Sequence, residues 1–282
     1  LSSAMAECVS HLSGVLDSAD VRSSIGAVRA LGAEVNLEKR PDGSLAGDIR
    51  GWGGLGPSQP EGAIDCGNSG TTVRLLMGVL APWGITVELT GDDSLRRRPM
   101  RRIAAPLELM GARFAPEGAT TLPLSITGTR GLAAISYDSP VASAQLKTAI
   151  LLAGIFASGT TSVHEPAPSR NHTVLMLPGF GVVVEAAPGE ASVAGGQSLH
   201  ACDVDVPGDP SSAAFMACAA ALRPDSAIDI ENVSLNEARI GFVRVLERMG
   251  ADITLKPTGS AGEEPCGTIS VSYVEHLDSC EV

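Results

Sequence analysis

The sequence predicts an α/β protein built from repeated βαβαββ units, and three observations carry the prediction. An amphipathic helix that ends in a glycine and runs into a strand recurs along the chain. Its marker glycines are Gly32, Gly111, Gly181 and Gly250, about 70 residues apart. A second class of helix lies between the markers, opening on small polar residues and then turning apolar. Short β-branched segments fill the intervals. A period of this size points to repeated structural units.

The elements follow in order. The opening SSAMAECV reads as mid-helix, so the natural N-terminus is expected upstream. The first marker helix is VRSSIGAVRALGAEV, Val21 to Val35, and glycine just past the last apolar turn is a C-cap signal. GNSGTTVRLLMGVLA, residues 67–81, is the first helix with a small polar start. ITVELTG reads as a strand, MRRIAAPLELMGARF (Met100 to Phe114) as the second marker helix, and LPLSITG as a strand. SPVASAQLKTAILLAGIFASG is a second polar-start helix, followed by the strand TTSVHEP and the third marker helix, HTVLMLPGFGVVVE, His172 to Glu185. The Ala/Gly-rich stretch from Ala186 to Gln197 reads as a loop or hairpin. In VPGDPSSAAFMACAAAL, Asp209 suits the N-cap and Pro210 the first helical position. SAIDIENV, the marker helix GFVRVLERMGADI (Gly241 to Ile253) and TISVSYV complete the chain. Four units are visible, the first lacking its opening strand. VDVPGDP, near Val206, is the expected boundary between a first domain of three units, residues 1–205, and the opening unit of a second, residues 206–282.

Composition narrows the function. The chain has 282 residues, 44% hydrophobic but only 3% aromatic, so its core must be built from Ala, Val, Leu and Ile. A net charge of -12 argues against a general nucleic-acid binder. Yet Arg96 to Arg102, RRRPMRR, packs five arginines into seven residues. A local basic cluster in an acidic protein suits a small anion. The six cysteines form no CxxC pair, and the histidines do not sit beside them at metal-ligand spacing. Reduced, mostly buried thiols in a cytoplasmic protein are expected, with no metal site. The longest apolar runs are too short for a membrane span, and no signal peptide is visible.

Four stretches carry chemistry. DCGNSGTT places glycines and small polar residues directly before a helix. It is either an ordinary capped turn or an anion site, where free N–H groups and the helix dipole meet a ligand. It lacks the GK[ST] of a nucleotide P-loop. Arg74 either faces the ligand or anchors neighbouring carbonyls. In GDDSLRRRPMRR, Arg98 precedes Pro99 and has the most restricted backbone of the cluster, and guanidinium suits bidentate contact with phosphate or carboxylate. One or two of the five arginines are expected at a ligand and the rest on the surface. SPVASAQLK offers Ser143 as a cap, Gln145 in the first turn, and Lys147, one of three lysines in the chain. It reads as a plain capped helix or as a second phosphate pocket. EPAPSRNHT stiffens its approach with two prolines before Ser169 and Arg170, while His172 reads as a structural hydrogen-bonder.

Together and in this order, LDSADV, DCGNSGTTVRLL, GDDSLRRRPM, SAQLKTAILLAG, EPAPSRNHT, VPGDPSSAAF and NEARIGFVRVLERMGAD resemble the enolpyruvyl transferase family, in its shikimate branch. The resemblance spans nearly the whole chain. It implies an inside-out α/β barrel of six βαβαββ units in two domains, of which about four units are present here. It implies transfer of the enolpyruvyl group of phosphoenolpyruvate to the 5-hydroxyl of shikimate 3-phosphate, with release of phosphate and without cofactor or metal. Carried over, the phosphoenolpyruvate contacts are Gly70, Asn68, Arg98 and Gln145. The shikimate 3-phosphate contacts are Ser143, Ala144, Gln145, Ser169 and Arg170. The family's catalytic lysine and aspartate are expected outside this chain, which is therefore expected to be inactive as it stands; the full enzyme is expected to be a monomer. Where one subgroup carries a glutamate in this region, RNHTV has Val174, so the resemblance does not fix the glyphosate-response class. The alternatives are the sister enzyme that acts on UDP-N-acetylglucosamine, whose motifs fit less well, and a non-catalytic anion-binding fragment.

Overall fold

The computed structural model describes residues 1–261 and 263–281. The chain is α/β with mixed sheets, and divides into two compact units. Unit 1 comprises Leu1–Ser169 and Leu177–Asp203; unit 2 comprises Arg170–Met176 and Val204–Val282.

Unit 1 contains, in chain order, α1 (Ser2–Met5), β1 (Val9–Val15), α2 (Ala19–Ala30), β2 (Glu34–Lys39), β3 (Leu45–Arg50), β4 (Ile64–Asp65), α3 (Gly70–Leu80), β5 (Thr86–Thr90), α4 (Asp93–Arg96), α5 (Arg101–Met110), β6 (Arg113–Ala115), β7 (Leu124–Thr127), β8 (Ser136–Asp138), α6 (Ala144–Gly154), β9 (Thr160–His164), β10 (Val184–Ala187) and β11 (Glu190–Ala194). β3 pairs antiparallel with β1 and β2. Two four-stranded sheets have the orders β4-β5-β7-β6 and β8-β9-β11-β10. In each the first pair is parallel and the other pairs antiparallel.

The shortage of aromatics sets how the helices meet. α3 and α6 are buried almost all round. A side chain at Gly78 would collide with the Ala149 carbonyl, so the two backbones touch where they cross. This close approach brings the helices' N-termini together, and the candidate site is built there. Local signals set the ends. Ser69 accepts the Thr72 N–H and Ser143 the Leu146 N–H, as N-cap serines do. All four marker glycines adopt positive φ, from 79° at Gly181 to 114° at Gly111, the left-handed conformation that stops a helix.

Unit 2 contains α7 (His172–Met176), β12 (Val204–Asp205), α8 (Pro210–Leu222), β13 (Ala227–Ser234), α9 (Gly241–Arg248), β14 (Asp252–Ala261) and β15 (Glu264–Ser272). Its antiparallel sheet has the order β13-β15-β14. The core joins Ala213, Ala217, Ala220 and Ala221 of α8 to Val243 and Leu246 of α9 and to Ile253, Ile269 and Val271 of the sheet. Asp209 caps α8 through the Ser211 N–H, with Pro210 at the first position, as the sequence predicts.

Three expectations change. The helix predicted from His172 is a single turn, α7, and Leu177–Phe180 is a 3₁₀ turn. Pro178 has no N–H to continue an α-helical ladder. The mid-helix reading of SSAMAECV shrinks to α1, and Cys8 has a φ of 69°. The thiols are not mostly buried: Cys66 and Cys266 are, Cys202 and Cys280 are half-buried, and Cys8 and Cys218 are exposed. Burial pushes the Cys66 thiol up to about 12. Among the described residues, no helix is long and apolar enough to cross a membrane, and no group of His, Cys, Asp and Glu is placed to hold a metal.

Candidate functional site

The turn into α3 is built around Gly67. Its φ is 55°, its N–H goes to the Asp65 carboxylate (2.8 Å) and its carbonyl accepts the Asp92 N–H (2.8 Å). Ser69 then caps the helix, and Gly70 is its first residue with no left-handed φ. A Cβ built on Gly70 would stand 2.9 Å from Arg74 Nη1 and 3.2 Å from Arg98 Nη1. The bare α-carbon of Gly70 thus lies beneath two guanidinium groups.

Those guanidiniums are held by neutral partners. Arg74 is buried, donating through Nη1 to Gln145 Oε1 (2.9 Å) and through Nη2 to the Pro99 carbonyl (3.3 Å). Its Nε–H is buried without a partner among the described residues. Arg98 donates to Asn68 Oδ1, and Asn68 donates in turn to Asp92 Oδ2 (2.6 Å). Asn68 therefore joins Asp92 to Arg98. Among the described residues, no ion pair links Arg74, Arg98 or Arg102 to a carboxylate. Burial holds the Arg74 guanidinium below its usual range, and the like charges of Arg102 and Arg98 push the same way. An anion placed among them would relieve that repulsion.

Two other arginines of the cluster have other work. Arg96 donates to Thr90 Oγ1 (3.0 Å) and Arg101 pairs with Glu108 (2.7 Å).

Gln145 ties the second helix start to the first. Its Oε1 accepts from Arg74 and its Nε2 donates to Thr71 Oγ1 (2.9 Å). Thr71 and Arg74 both lie in the first turns of α3, so Gln145 locks the N-termini of α3 and α6 side by side. Ser143 and Ala144 open α6, and their half-exposed positions leave them reachable. Ser143 uses an oxygen lone pair for the cap, which leaves its hydroxyl proton available to an acceptor.

Lys147 does not reach toward a ligand. It is 7% exposed and pairs with Glu165, whose side chain is 0% exposed, at 2.8 Å. Both groups also bond Ser169 Oγ, at 2.9 Å from Lys147 and 2.8 Å from Glu165. Arg170 is exposed and belongs to unit 2. Also in unit 2, His172 Nδ1 bonds Glu264 (3.0 Å), while its Nε2 accepts from Arg239 (3.2 Å). That fits the structural hydrogen-bonding role read from the sequence.

Thr71 and Glu165 escaped the sequence reading. Thr71 carries no signal beyond its place at a helix start. Glu165 had one: a lysine in the apolar run AQLKTAILLAG must find a buried partner.

The profile of EPSP synthase (3-phosphoshikimate 1-carboxyvinyltransferase) matches residues 1–277. A 3-phosphoshikimate 1-carboxyvinyltransferase of Halorhodospira halophila is 46% identical over 268 residues, covering 95% of this chain and 60% of the relative. One from Xanthomonas campestris pv. campestris is 44% identical over 270 residues, covering 96% and 61%. The solved EPSP synthase of Acinetobacter baumannii superposes with a TM-score of 0.88 at 42% identity, covering 96% of this chain and 60% of that one. The chain thus spans about 60% of the length of the relatives it matches.

Proposed function

The chain belongs to the EPSP synthase family, and from that premise we propose that the protein it represents transfers the enolpyruvyl group of phosphoenolpyruvate to shikimate 3-phosphate. The observation that carries the reading is the pair of helix N-termini locked by Gln145, with the guanidiniums of Arg74 and Arg98 lacking any carboxylate partner among the described residues. Phosphoenolpyruvate sits on the α3 side, against Gly70 and Arg98, with Asn68 orienting Arg98. The shikimate 3-phosphate phosphate sits against Ser143, the Ala144 N–H and Ser169, and Gln145 lies between the two. The matching strand orders β4-β5-β7-β6 and β8-β9-β11-β10 support a repeated βαβαββ unit, the unit from which the six-unit inside-out barrel would be built.

The chemistry suits such a site. In the addition step C3 of phosphoenolpyruvate takes a proton while the 5-hydroxyl oxygen bonds to C2 and gives up its own. In the elimination step C3 loses a proton, the C2–O bond to phosphate breaks, and inorganic phosphate leaves. Both substrates are polyanions and charge moves between them. Fixed dipoles and guanidiniums lower the barrier because they need no reorganisation as that charge develops. Holding both ligands side by side also turns an encounter of two like-charged molecules into a local reaction.

Calorimetric titration of the 282-residue chain tests the reading. Binding of shikimate 3-phosphate, and none of UDP-N-acetylglucosamine, is the expected result. The reverse preference would assign the chain to the sister reaction.

A further inference from the structure

Ser143 lacks the usual companion of a helix cap. In a capping box the third helical residue is Glu or Gln and its side chain holds the N–H of the cap residue. Here that position is Leu146. Glu165, from the segment after β9, supplies the missing group instead: its Oε1 accepts the Ser143 N–H at 2.8 Å. Its Oε2 accepts from Lys147 Nζ and from Ser169 Oγ, each at 2.8 Å. One buried carboxylate therefore holds both serines assigned above to the phosphate.

A hydroxyl has one proton and two lone pairs. At Ser169 the proton is directed to Glu165 and one lone pair takes the Lys147 ammonium (2.9 Å). A phosphate dianion only accepts, so the Ser169 proton must swing from Glu165 to the ligand when it binds. Glu165 then keeps two donors, Lys147 and the Ser143 N–H. Lys147 also cancels a charge that would otherwise repel the phosphate.

We propose that the buried Lys147–Glu165 pair is the positioning device of the shikimate 3-phosphate pocket, anchoring Ser143 and Ser169 while presenting no net charge to the ligand. The proposal rests on the reading that these two serines face that phosphate. The ionised state of Glu165 fits it. Burial pushes the Glu165 carboxyl up, but Lys147, Ser169 and the Ser143 N–H together outweigh this and hold it below its usual range.

The test compares binding of shikimate 3-phosphate with binding of unphosphorylated shikimate, which a merely structural role would weaken alike. In Lys147→Met an uncompensated carboxylate faces the phosphate. Shikimate 3-phosphate should bind about 10-fold or more weakly, while shikimate is unchanged. Adding Glu165→Gln restores neutrality and a bond to each serine, and should bring the affinity back to within about 3-fold, since neutral replacement of a buried pair is tolerated. If Lys147→Met does not fold, Glu165→Asp keeps the charge pair and draws the carboxylate back by about 1.5 Å, one carbon–carbon bond. It should show the same selective loss. Unchanged shikimate 3-phosphate affinity, or parallel loss of both ligands, would overturn the proposal. A wild-type chain that binds no shikimate 3-phosphate would instead remove the reading beneath it, before any variant is made.

Discussion

Replacing Gly70 by alanine separates a glycine that makes room for a ligand's partners from one that holds the backbone. Gly70 opens α3 without a left-handed φ, so the backbone accepts alanine without strain. The new methyl would stand 2.9 Å from Arg74 Nη1 and 3.2 Å from Arg98 Nη1, where ordinary contact begins at 3.4 Å. Arg74 is buried and held at both nitrogens of its fork, by Gln145 and the Pro99 carbonyl, so it yields little. Arg98 is half-exposed and is the group that moves. Overpacking costs about 1–3 kcal/mol, and alanine returns up to ~1 kcal/mol of helix propensity. With that return the net loss is roughly 2 kcal/mol or less, a shift of at most about 8 °C at ~2–4 °C per kcal/mol. Loss of one charge-assisted hydrogen bond from Arg98 is worth about 1.5–3 kcal/mol, or roughly 10- to 150-fold in phosphoenolpyruvate affinity. Shikimate 3-phosphate, on the α6 side, should change by less than about 3-fold, no more than the lower end of the ~0.5–1.5 kcal/mol of an ordinary hydrogen bond. Melting curves and calorimetry, with shikimate 3-phosphate saturating when phosphoenolpyruvate is titrated, read all three quantities. A melting temperature lowered by much more than ~8 °C, with both ligands lost in parallel, would refute the reasoning.

Three further outcomes follow from the same structure. Gly67→Ala should destabilise by about 1–2 kcal/mol, because φ 55° is strained for alanine and its methyl would meet Ser23 Oγ at 2.9 Å; a melting temperature equal to wild type would contradict this. Glu264 governs an acid limb of unit 2. Burial pushes its carboxyl up, but His172, Ser234 and Asn236 outweigh that and hold it below the usual value of 4.5. A carboxyl held low in the fold contributes stability above its unfolded value and loses it as pH falls through the folded one. Unit 2 should therefore weaken below about pH 4.5. Glu264→Gln should flatten that limb, and urea melts from pH 7 to 3, about the carboxylate range, would show whether it does. Finally, alkylation of the native chain should modify Cys8 and Cys218 quickly and leave Cys66 intact, as peptide mass mapping would report.

What the sequence made legible was local chemistry. The caps Ser143 and Asp209, the stop glycines and Pro210 act within a few residues of themselves, and a reader of the chain sees both partners. The close α3–α6 crossing was foreshadowed by the poverty of aromatics, since Ala and Gly permit backbones to touch. What stayed hidden depends on partners far apart in the chain. Glu165 serves Ser143 and Lys147 across 22 and 18 residues, and Gln145 reaches Thr71 and Arg74 across 74 and 71. β14 was read only at its start, to Ile253, because its continuation contains Pro257. Its edge position and the bulge between Pro257 and Gly259 remove the need for the missing N–H. The third marker helix was over-read because apolar periodicity outweighed the proline inside it.

The most direct test of the account is phosphorus NMR of the protein expressed from its complete coding sequence, incubated with phosphoenolpyruvate and shikimate 3-phosphate. The account predicts a growing inorganic phosphate signal that requires both substrates, together with a shifted 3-phosphate signal from the product. Arg98→Ala should slow its growth by roughly 10-fold or more, the lower end for a lost charge-assisted contact. Phosphate release that ignores shikimate 3-phosphate, or that requires UDP-N-acetylglucosamine in its place, would contradict it.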